Sequence, residues 1–420
     1  MRIPPGAVVP GGSSPVTRPA TAHRAKPPVA RPDDIRRHNL ALVLREVHRD
    51  GALTRAELTQ RLALSRSTIR LLVTDLCDLG VVQESVPVGG ERAGRPSHVV
   101  GPRPDGPYAL AVDVEVDRLA VAAVSVGGDV RWRQVHRLGP EDRSTRAVTR
   151  VIVDVVSRAV RDLEGAAWPI GLGVSVPGTV RTGSGVVEDA PNLDWHNEPL
   201  GPMLRERLPG LPVALGNDAD MGALAEHLRG AARGATDVVY LTGKVGVGAG
   251  ILVNGLPLRG AGGLAGEIGH TVVDQDGPPC HCGGRGCVEG LIGEEALVRL
   301  AGRSGPPDPE AVAAVLADAR AGDPAARAGL SQVARGLGQV LANLVNLLNP
   351  QVIVLGGALS GVFSCARAEV LTHLDGQAMA AARSMVDVRA SALGADSSLL
   401  GAAELIFQDL LADPLLAAAH

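Results

Sequence analysis

The chain has 420 residues, 45% of them hydrophobic and only 2% aromatic, and a formal net charge of −4. That length predicts two or three domains with aliphatic cores. No apolar run approaches the roughly 18 residues of a membrane span, and the first residues lack the apolar stretch of an export signal, so a cytoplasmic chain with no membrane partner is expected. Charge is uneven: residues 1–105 carry 16 Lys/Arg against 10 Asp/Glu, and the remainder 25 against 35. A basic head on an acidic body suits a polyanion partner for the head, or simply a slightly basic solvated domain.

In chain order, residues 1–32 are rich in Pro, Ala, Gly and Arg and are expected to be a disordered extension. Ile35 to Arg49 predicts a helix, with Leu40, Val43, Leu44 and Val47 at helical spacing. Thr54 and Glu57 form a capping-box pattern for a short second helix, and Ser65 is an N-cap for a third whose apolar stripe is Ile69, Leu72, Val73 and Leu76. Gly80 ends it. Two β-like pieces, Val81–Val82 and Ser97–Val100, flank a Gly/Arg-rich loop and close a first domain at 33–100. Residues 101–107 hold three prolines and are expected to be a linker to a second domain at 108–420.

Three short helices and a two-stranded wing form a winged helix-turn-helix pattern. Its third helix would enter the major groove, with Ser65, Arg66, Ser67, Thr68 and Arg70 near base edges and Arg92 and Arg95 of the wing near phosphates or a minor groove. An arginine forking onto guanine contributes about 1–3 kcal/mol of discrimination. The competing possibility is a small helical bundle with solvated arginines; the basic balance, the capped third helix and the wing together favour operator DNA.

The rest alternates strands and helices: strands at Tyr108–Val114, Leu119–Val126, Ile170–Val176, Val213–Leu215, Val238–Leu241, Val247–Val253 and Val352–Leu355, and helices at Arg146–Glu164, Ala219–Arg229, Gly293–Leu300, Ala311–Arg320 and Ala325–Leu348. That alternation predicts an α/β domain with a mixed, buried sheet and ligands at the strand ends.

His270 is followed by Cys280, Cys282 and Cys287 in one Gly-rich loop. Three thiols cannot pair among themselves, and three thiolates with one imidazole make a tetrahedral structural zinc set, against free thiols or disulfides. The zinc loop is set at 270–289, with His281 between two ligands and expected to face solvent.

Gly266-Glu267-Ile268-Gly269-His270, then Cys280-x-Cys282-Gly283-x-x-Gly286-Cys287-x-Glu289, resembles the signature of the ROK family (repressors, open reading frames and sugar kinases). Val174-Ser175-Val176-Pro177-Gly178, Ala190-Pro191-Asn192-Leu193 and Asn217-Asp218-Ala219 match its pattern in order. The resemblance implies a two-lobed, actin-like ATPase (sugar-kinase-like) domain behind the helix-turn-helix of the family's repressor branch. It also implies a sugar or sugar-phosphate effector held by Asn192, Asn217, Asp218, Glu267, His270 and Glu289, and a homodimer or homotetramer. Carboxylates and amides suit the paired donors and acceptors of vicinal hydroxyls, and a metal-bound His270 would present its other ring nitrogen to the sugar.

In the family's kinases Asp218 would be the general base. The phosphate loops depart from the kinase pattern, however. Asp113-Val114-Glu115-Val116-Asp117 stands where the kinases have Asp-x-Gly-Gly-Thr, and Lys244-Val245-Gly246-Val247-Gly248-Ala249-Gly250 where they have Gly-Thr-Gly-x-Gly-Gly-Gly; Gly356-Gly357 is retained. Kinase activity is therefore expected to be lost, with Asp218 a sugar ligand and no catalytic residue. The chain would be a sugar-responsive regulator, a repressor of carbohydrate metabolism. The competing expectations are an active sugar kinase with an appended DNA-binding domain, and a zinc-stabilised interaction module. Lys244 would either reach a phosphate or be solvated.

Overall fold

The computed structural model describes residues 32–86, 98–163, 168–181, 183–304 and 309–419. The expected N-terminal extension, all but its last residue Pro32, lies outside the described residues, as do Arg92 and Arg95 of the wing.

The head consists of α1 (Pro32–Asp50), β1 (Leu53–Thr54), α2 (Arg55–Leu62), α3 (Arg66–Asp78), β2 (Val82–Ser85) and β3 (Val99–Pro102). Thr54 caps α2 in the reciprocal box its sequence predicts: its hydroxyl accepts from the Glu57 amide, and the Glu57 carboxylate accepts from the Thr54 amide at 2.7 Å. Ala63 turns the chain in the left-handed region (φ 53°), and the Ser65 hydroxyl then caps α3 through the Thr68 amide at 3.1 Å. Ile69, Leu72, Val73 and Leu76 are buried and share a core with Leu40, Val43, Leu44, Val47 and Leu58. The strands pair antiparallel in the order β1-β3-β2. Gly101 and Pro102 pair with β2, so the expected linker loses its first two residues to the sheet.

The first lobe of the body is built on β4 (Tyr108–Val114), β5 (Arg118–Ser125), β6 (Val130–Arg137), α4 (Thr145–Asp162), β7 (Pro169–Val176), the short strands β8 (Thr179–Arg181), β9 (Val186–Ala190) and β10 (Trp195–Glu198), α5 (Leu200–Arg207), β11 (Val213–Asn217) and α6 (Asp218–Arg229). The second is built on β12 (Val238–Gly243), β13 (Val247–Val253), β14 (Leu256–Pro257), α7 (Val288–Ile292), α8 (Glu294–Leu300), α9 (Pro309–Ala321), α10 (Pro324–Leu348), β15 (Val352–Gly356), α11 (Gly357–Gln377), α12 (Ala380–Arg383), β16 (Asp387–Ala390) and α13 (Ser397–Ala412).

The sheets run β11-β7-β4-β5-β6 and β14-β13-β12-β15-β16. Counted within each lobe, both have the order 3-2-1-4-5: an antiparallel meander of three strands followed by two parallel additions. Every residue of β4 and β12, the first strand of each lobe, is buried, as fits near-continuous apolar runs covered on both faces. β11 runs on to Asn217, past the predicted Leu215, and so delivers Asn217 and Asp218 to the strand-end side where ligands bind in open α/β sheets.

α13 crosses the back of the first sheet, and its Leu399, Ala402, Ala403, Phe407 and Leu410 belong to the same apolar core as α1 and α3 of the head. Head and body are thus docked together. Among the described residues, no helix is long and apolar enough to cross a membrane.

Candidate functional site

The cleft between the lobes encloses ≈ 650 Å³ including its open mouth; Thr179, Asn217, Asp220, Met221, Arg259 and Glu267 line it, with the backbones of Gly248, Ala249 and Gly266. Asn217 is held in place at the cleft wall by three hydrogen bonds. Its amide oxygen accepts from the Ala219 and Asp220 amides at 2.8 and 3.2 Å, capping α6, and its amide nitrogen donates to the Gly178 carbonyl at 2.9 Å. Asp220 therefore sits on the first turn of α6, facing the cleft. Burial pushes its carboxyl up to about 6, Arg259 pulling against this and Asp218 and Glu267 adding to it. Burial likewise raises Asp218 and Glu267.

Deeper in, Lys244 reaches from the β12–β13 turn to three carboxylates: Glu115 at 3.2 Å, Asp113 at 3.5 Å and Asp218 at 3.9 Å. Its ammonium also donates to the Ser398 hydroxyl at 3.4 Å. The sequence alternatives for Lys244, a phosphate contact or a solvated side chain, both give way to this arrangement: the side chain is 27% exposed and ringed by anions. Burial works against its charge, but Asp113, Asp218 and Glu115 together hold the ammonium above its ordinary range. Asp113, fully enclosed and accepting from the Ser175 hydroxyl at 2.7 Å, is pushed up by burial to about 6.

Beyond Glu267 the chain makes a single 3₁₀ turn, Ile268–His270, and enters the Gly-rich loop. The ligating atoms of His270, Cys280, Cys282 and Cys287 all lie within 4.8 Å of one another. Cys282 and Cys287 sulfurs are 3.7 Å apart, and Cys280 Sγ is 3.7 Å from His270 Nδ1. The first separation is far beyond a disulfide bond of about 2.05 Å. Metal–sulfur bonds of about 2.3 Å and metal–nitrogen bonds of about 2.05 Å give tetrahedral edges of roughly 3.8 and 3.6 Å, close to both. The four residues can hold a metal ion. Gly286 (φ +66°) has to be glycine, because a Cβ there would strike the Asp274 carbonyl. Burial and the neighbouring thiols push Cys287 up to about 12, a penalty that a divalent cation among the sulfurs reverses.

Glu289 joins this cluster to the cleft. Its Oε2 accepts from the Val247 amide at 3.0 Å, and its Oε1 meets His281 Nδ1 at 3.1 Å. His281, expected to face solvent, is half exposed but stands edge-on to His270, ring centroids 5.2 Å apart. The structure thus gathers Asn217, Asp218, Glu267, His270 and Glu289 around one region. Asn192 stays apart: it is exposed on the Pro191–Leu193 turn and does not line the cleft. Asp220 and Arg259 line the cleft without having been foreseen. The signals available were a third polar residue after Asn217-Asp218 and an arginine leading into the glycines before Gly266.

On the head, Ser65, Arg66, Ser67 and Arg70 are exposed along the first turn of α3, and Thr68 is half-buried beneath them. The Ser65 hydroxyl is 2.8 Å from those of Ser67 and Thr68. Arg66 and Arg70 have no ion-pair partner among the described residues.

The ROK family matches residues 109–409. A xylose repressor of Caldicellulosiruptor bescii is 27% identical over 390 residues, 90% of this chain and 97% of its own length. A glucokinase of Halalkalibacterium halodurans is 30% identical over 315 residues, 72% of this chain and 95% of its own. Among solved structures, a ROK family transcriptional regulator described as a homologue of the E. coli MLC protein superposes with a TM-score of 0.73 at 24% identity, covering 91% of this chain and 98% of that one. A ROK family glucokinase from Streptomyces griseus, solved with glucose and AMPPNP, gives 0.60 at 31% identity over 71% and 98%. The duplicated sheets around a cleft are the actin-like ATPase fold of these regulators and kinases, and the chain belongs to the ROK family.

Proposed function

We propose that this protein is a sugar-responsive, DNA-binding transcriptional repressor of carbohydrate metabolism that no longer phosphorylates sugar. The observation that carries this reading is where each likeness ends. The match to a xylose repressor runs over 90% of the chain, head included, whereas that to a glucokinase covers 72%. The head, residues 33–100 with its third strand extended to Pro102, is then a winged helix-turn-helix. Ser65, Arg66, Ser67, Thr68 and Arg70 face operator bases, Arg92 and Arg95 the backbone or minor groove, and a homodimer presents two such helices about 34 Å apart.

The sugar sits in the cleft against Asn217, Asp218, Glu267, His270 and Glu289, joined by Asp220 and Arg259; Asn192 takes part only if the lobes close over the ligand. Zinc is the ion that three thiols and an imidazole at tetrahedral spacing suit. His270, Cys280, Cys282 and Cys287 would hold it, fixing the ring of His270 so that its free nitrogen faces the sugar.

Loss of kinase chemistry rests on Lys244. In a working kinase a cluster of carboxylates would be met by substrate, metal and nucleotide; here the Lys244 ammonium already stands among Asp113, Glu115 and Asp218, and Arg118 pairs with Glu115 at 2.6 Å. The retained Asp218 and the 30% identity with a glucokinase favour the second reading, an active sugar kinase. Genome-wide mapping of bound DNA tests the first reading, since binding beside sugar-utilisation genes is expected. A coupled ATPase assay over a panel of hexoses and pentoses tests the second; sustained ADP release with any of them would establish it.

A further inference from the structure

α6 starts at the cleft and packs against α13, and α13 in turn shares an apolar core with α1 of the head. At their starts the Ser398 hydroxyl donates to the Asp218 carbonyl at 3.1 Å. Midway, Gly401 lies so close to Met221 that a Cβ would strike its carbonyl. Twelve residues of α6, at about 1.5 Å each, span about 18 Å. At the far end the last residue of α6, Arg229, donates through Nε to Glu404 Oε1 of α13, and His48 Nε2 of α1 lies 2.7 Å from Glu404 Oε2.

The three side chains are only 11%, 1% and 2% exposed. The Gly127 amide lies 3.2 Å from His48 Nδ1, and Arg229 Nη2 lies 2.8 Å from His48 Nε2. Arg229 Nη1 in turn donates to the Gly127 carbonyl at 2.5 Å and the His48 carbonyl at 3.3 Å. A side chain on Gly128 would collide with the guanidinium. The Phe407 ring lies 4.9 Å from the His48 ring, and around the rim Arg233 pairs with Asp50 at 2.6 Å.

Burial alone would raise the Glu404 carboxyl, yet His48 and Arg229 hold it below its ordinary range. Glu404 takes one oxygen to Arg229 and the other to His48, so α6 and α13 cannot shift against α1 without leaving a buried carboxylate unpaired. A hinge at the proline-rich segment is not needed to move the head.

We propose that the α6–α13 pair is the lever that carries cleft occupancy to the DNA-binding head, and that the His48–Glu404–Arg229 clasp is its joint. The proposal rests on the reading of the cleft as an effector site. Asn217, Asp218 and Asp220 sit at the ligand end of the lever, and a ligand that draws them inward displaces Arg229 and Glu404 as one body.

The test uses the full-length chain, D-xylose and D-glucose as probes, and the DNA fragment that the wild-type protein selects most strongly from sheared genomic DNA of its source. Three quantities are read: sugar affinity by calorimetry, DNA affinity with and without sugar by anisotropy, and hydrogen exchange along α1. In the wild type, sugar is expected to change DNA affinity by about 5–150-fold and to alter exchange in α1. In Glu404→Gln and Arg229→Gln that ratio falls to within about 2-fold of unity while sugar affinity stays within about 2-fold of wild type. Arg229→Lys restores part of the ratio, and Arg45→Ala, which removes only a rim contact to the Leu411 carbonyl, keeps all of it. Clasp variants that keep the wild-type ratio overturn the lever. So does a wild type whose α1 exchange ignores a bound sugar, a readout that stands even if a glutamine variant fails to fold. A wild type that binds neither sugar instead removes the effector reading, and the lever falls with it.

Discussion

Replacing Lys244 by Met keeps the length of the side chain and removes its charge. Each of the three ion pairs, at 3.2, 3.5 and 3.9 Å, is worth roughly 4–5 kcal/mol of Coulomb energy at an effective dielectric of about 20. Repulsion among the carboxylates and the desolvation of all four groups offset most of that total. What the variant loses is the compensation of buried charge, about 3–5 kcal/mol. A body of roughly 300 residues unfolds with an entropy of about 0.6 kcal/mol/K, so a drop in Tm of about 5–8 °C is expected at pH 7.5. Without the ammonium, Asp113 and Asp218 ionise still less readily when folded, while unfolded they keep the ordinary 3.8. Their repulsion therefore grows as pH rises and is relieved by protonation as it falls, so the deficit should shrink at pH 5.5. Calorimetric melting at the two pH values is the assay. A Tm within 1 °C of wild type at pH 7.5 would show that solvent screens the cluster, and the case for a closed nucleotide half would lose its footing.

Three further outcomes are expected. Asp220, raised to about 6 in the folded chain from 3.8 unfolded, contributes stability that is present below about pH 4 and lost as pH rises through about 6. Asp220→Asn should therefore gain on wild type in Tm between pH 5 and 7.5, and a constant difference across that range would contradict its burial. Purified protein should carry about one zinc per chain by mass spectrometry of the metals; Cys287→Ser should lose most of it and melt several degrees lower, whereas full retention would exclude Cys287 as a ligand. Arg66→Ala or Arg70→Ala should weaken binding to the selected operator by about 5–150-fold, the 1–3 kcal/mol of one guanine contact, with little loss on random DNA. Equal loss on both would make the residue a phosphate contact.

Much of this was legible in the sequence wherever a side chain has one local job. The Thr54 and Ser65 caps, the α3 stripe and the ends of β4 and β13 follow from residues within a few positions of each other. α13 escaped because Ser397 to Ala403 are all buried, Glu404 with them, leaving no polar face to set a helical period. β8 to β10 escaped because strands of three to five residues are too short to show alternation. The thiol–histidine cluster was readable because its spacing alone brings the sulfurs together. The carboxylates around Lys244 come from β4, the residue beyond it and the start of α6, and the clasp partners His48 and Glu404 are 356 residues apart. Only the folded chain brings such groups into contact.

The most direct measurement is an anisotropy titration of the selected operator in saturating D-xylose or D-glucose, repeated with ATP while ADP release is followed. Expected is a fall in DNA affinity of about 5–150-fold with a cognate sugar, with ATP neither altering it nor being consumed. DNA affinity indifferent to a sugar that occupies the cleft, or steady ADP release, would contradict a regulator whose sugar half works while its nucleotide half is closed by Lys244.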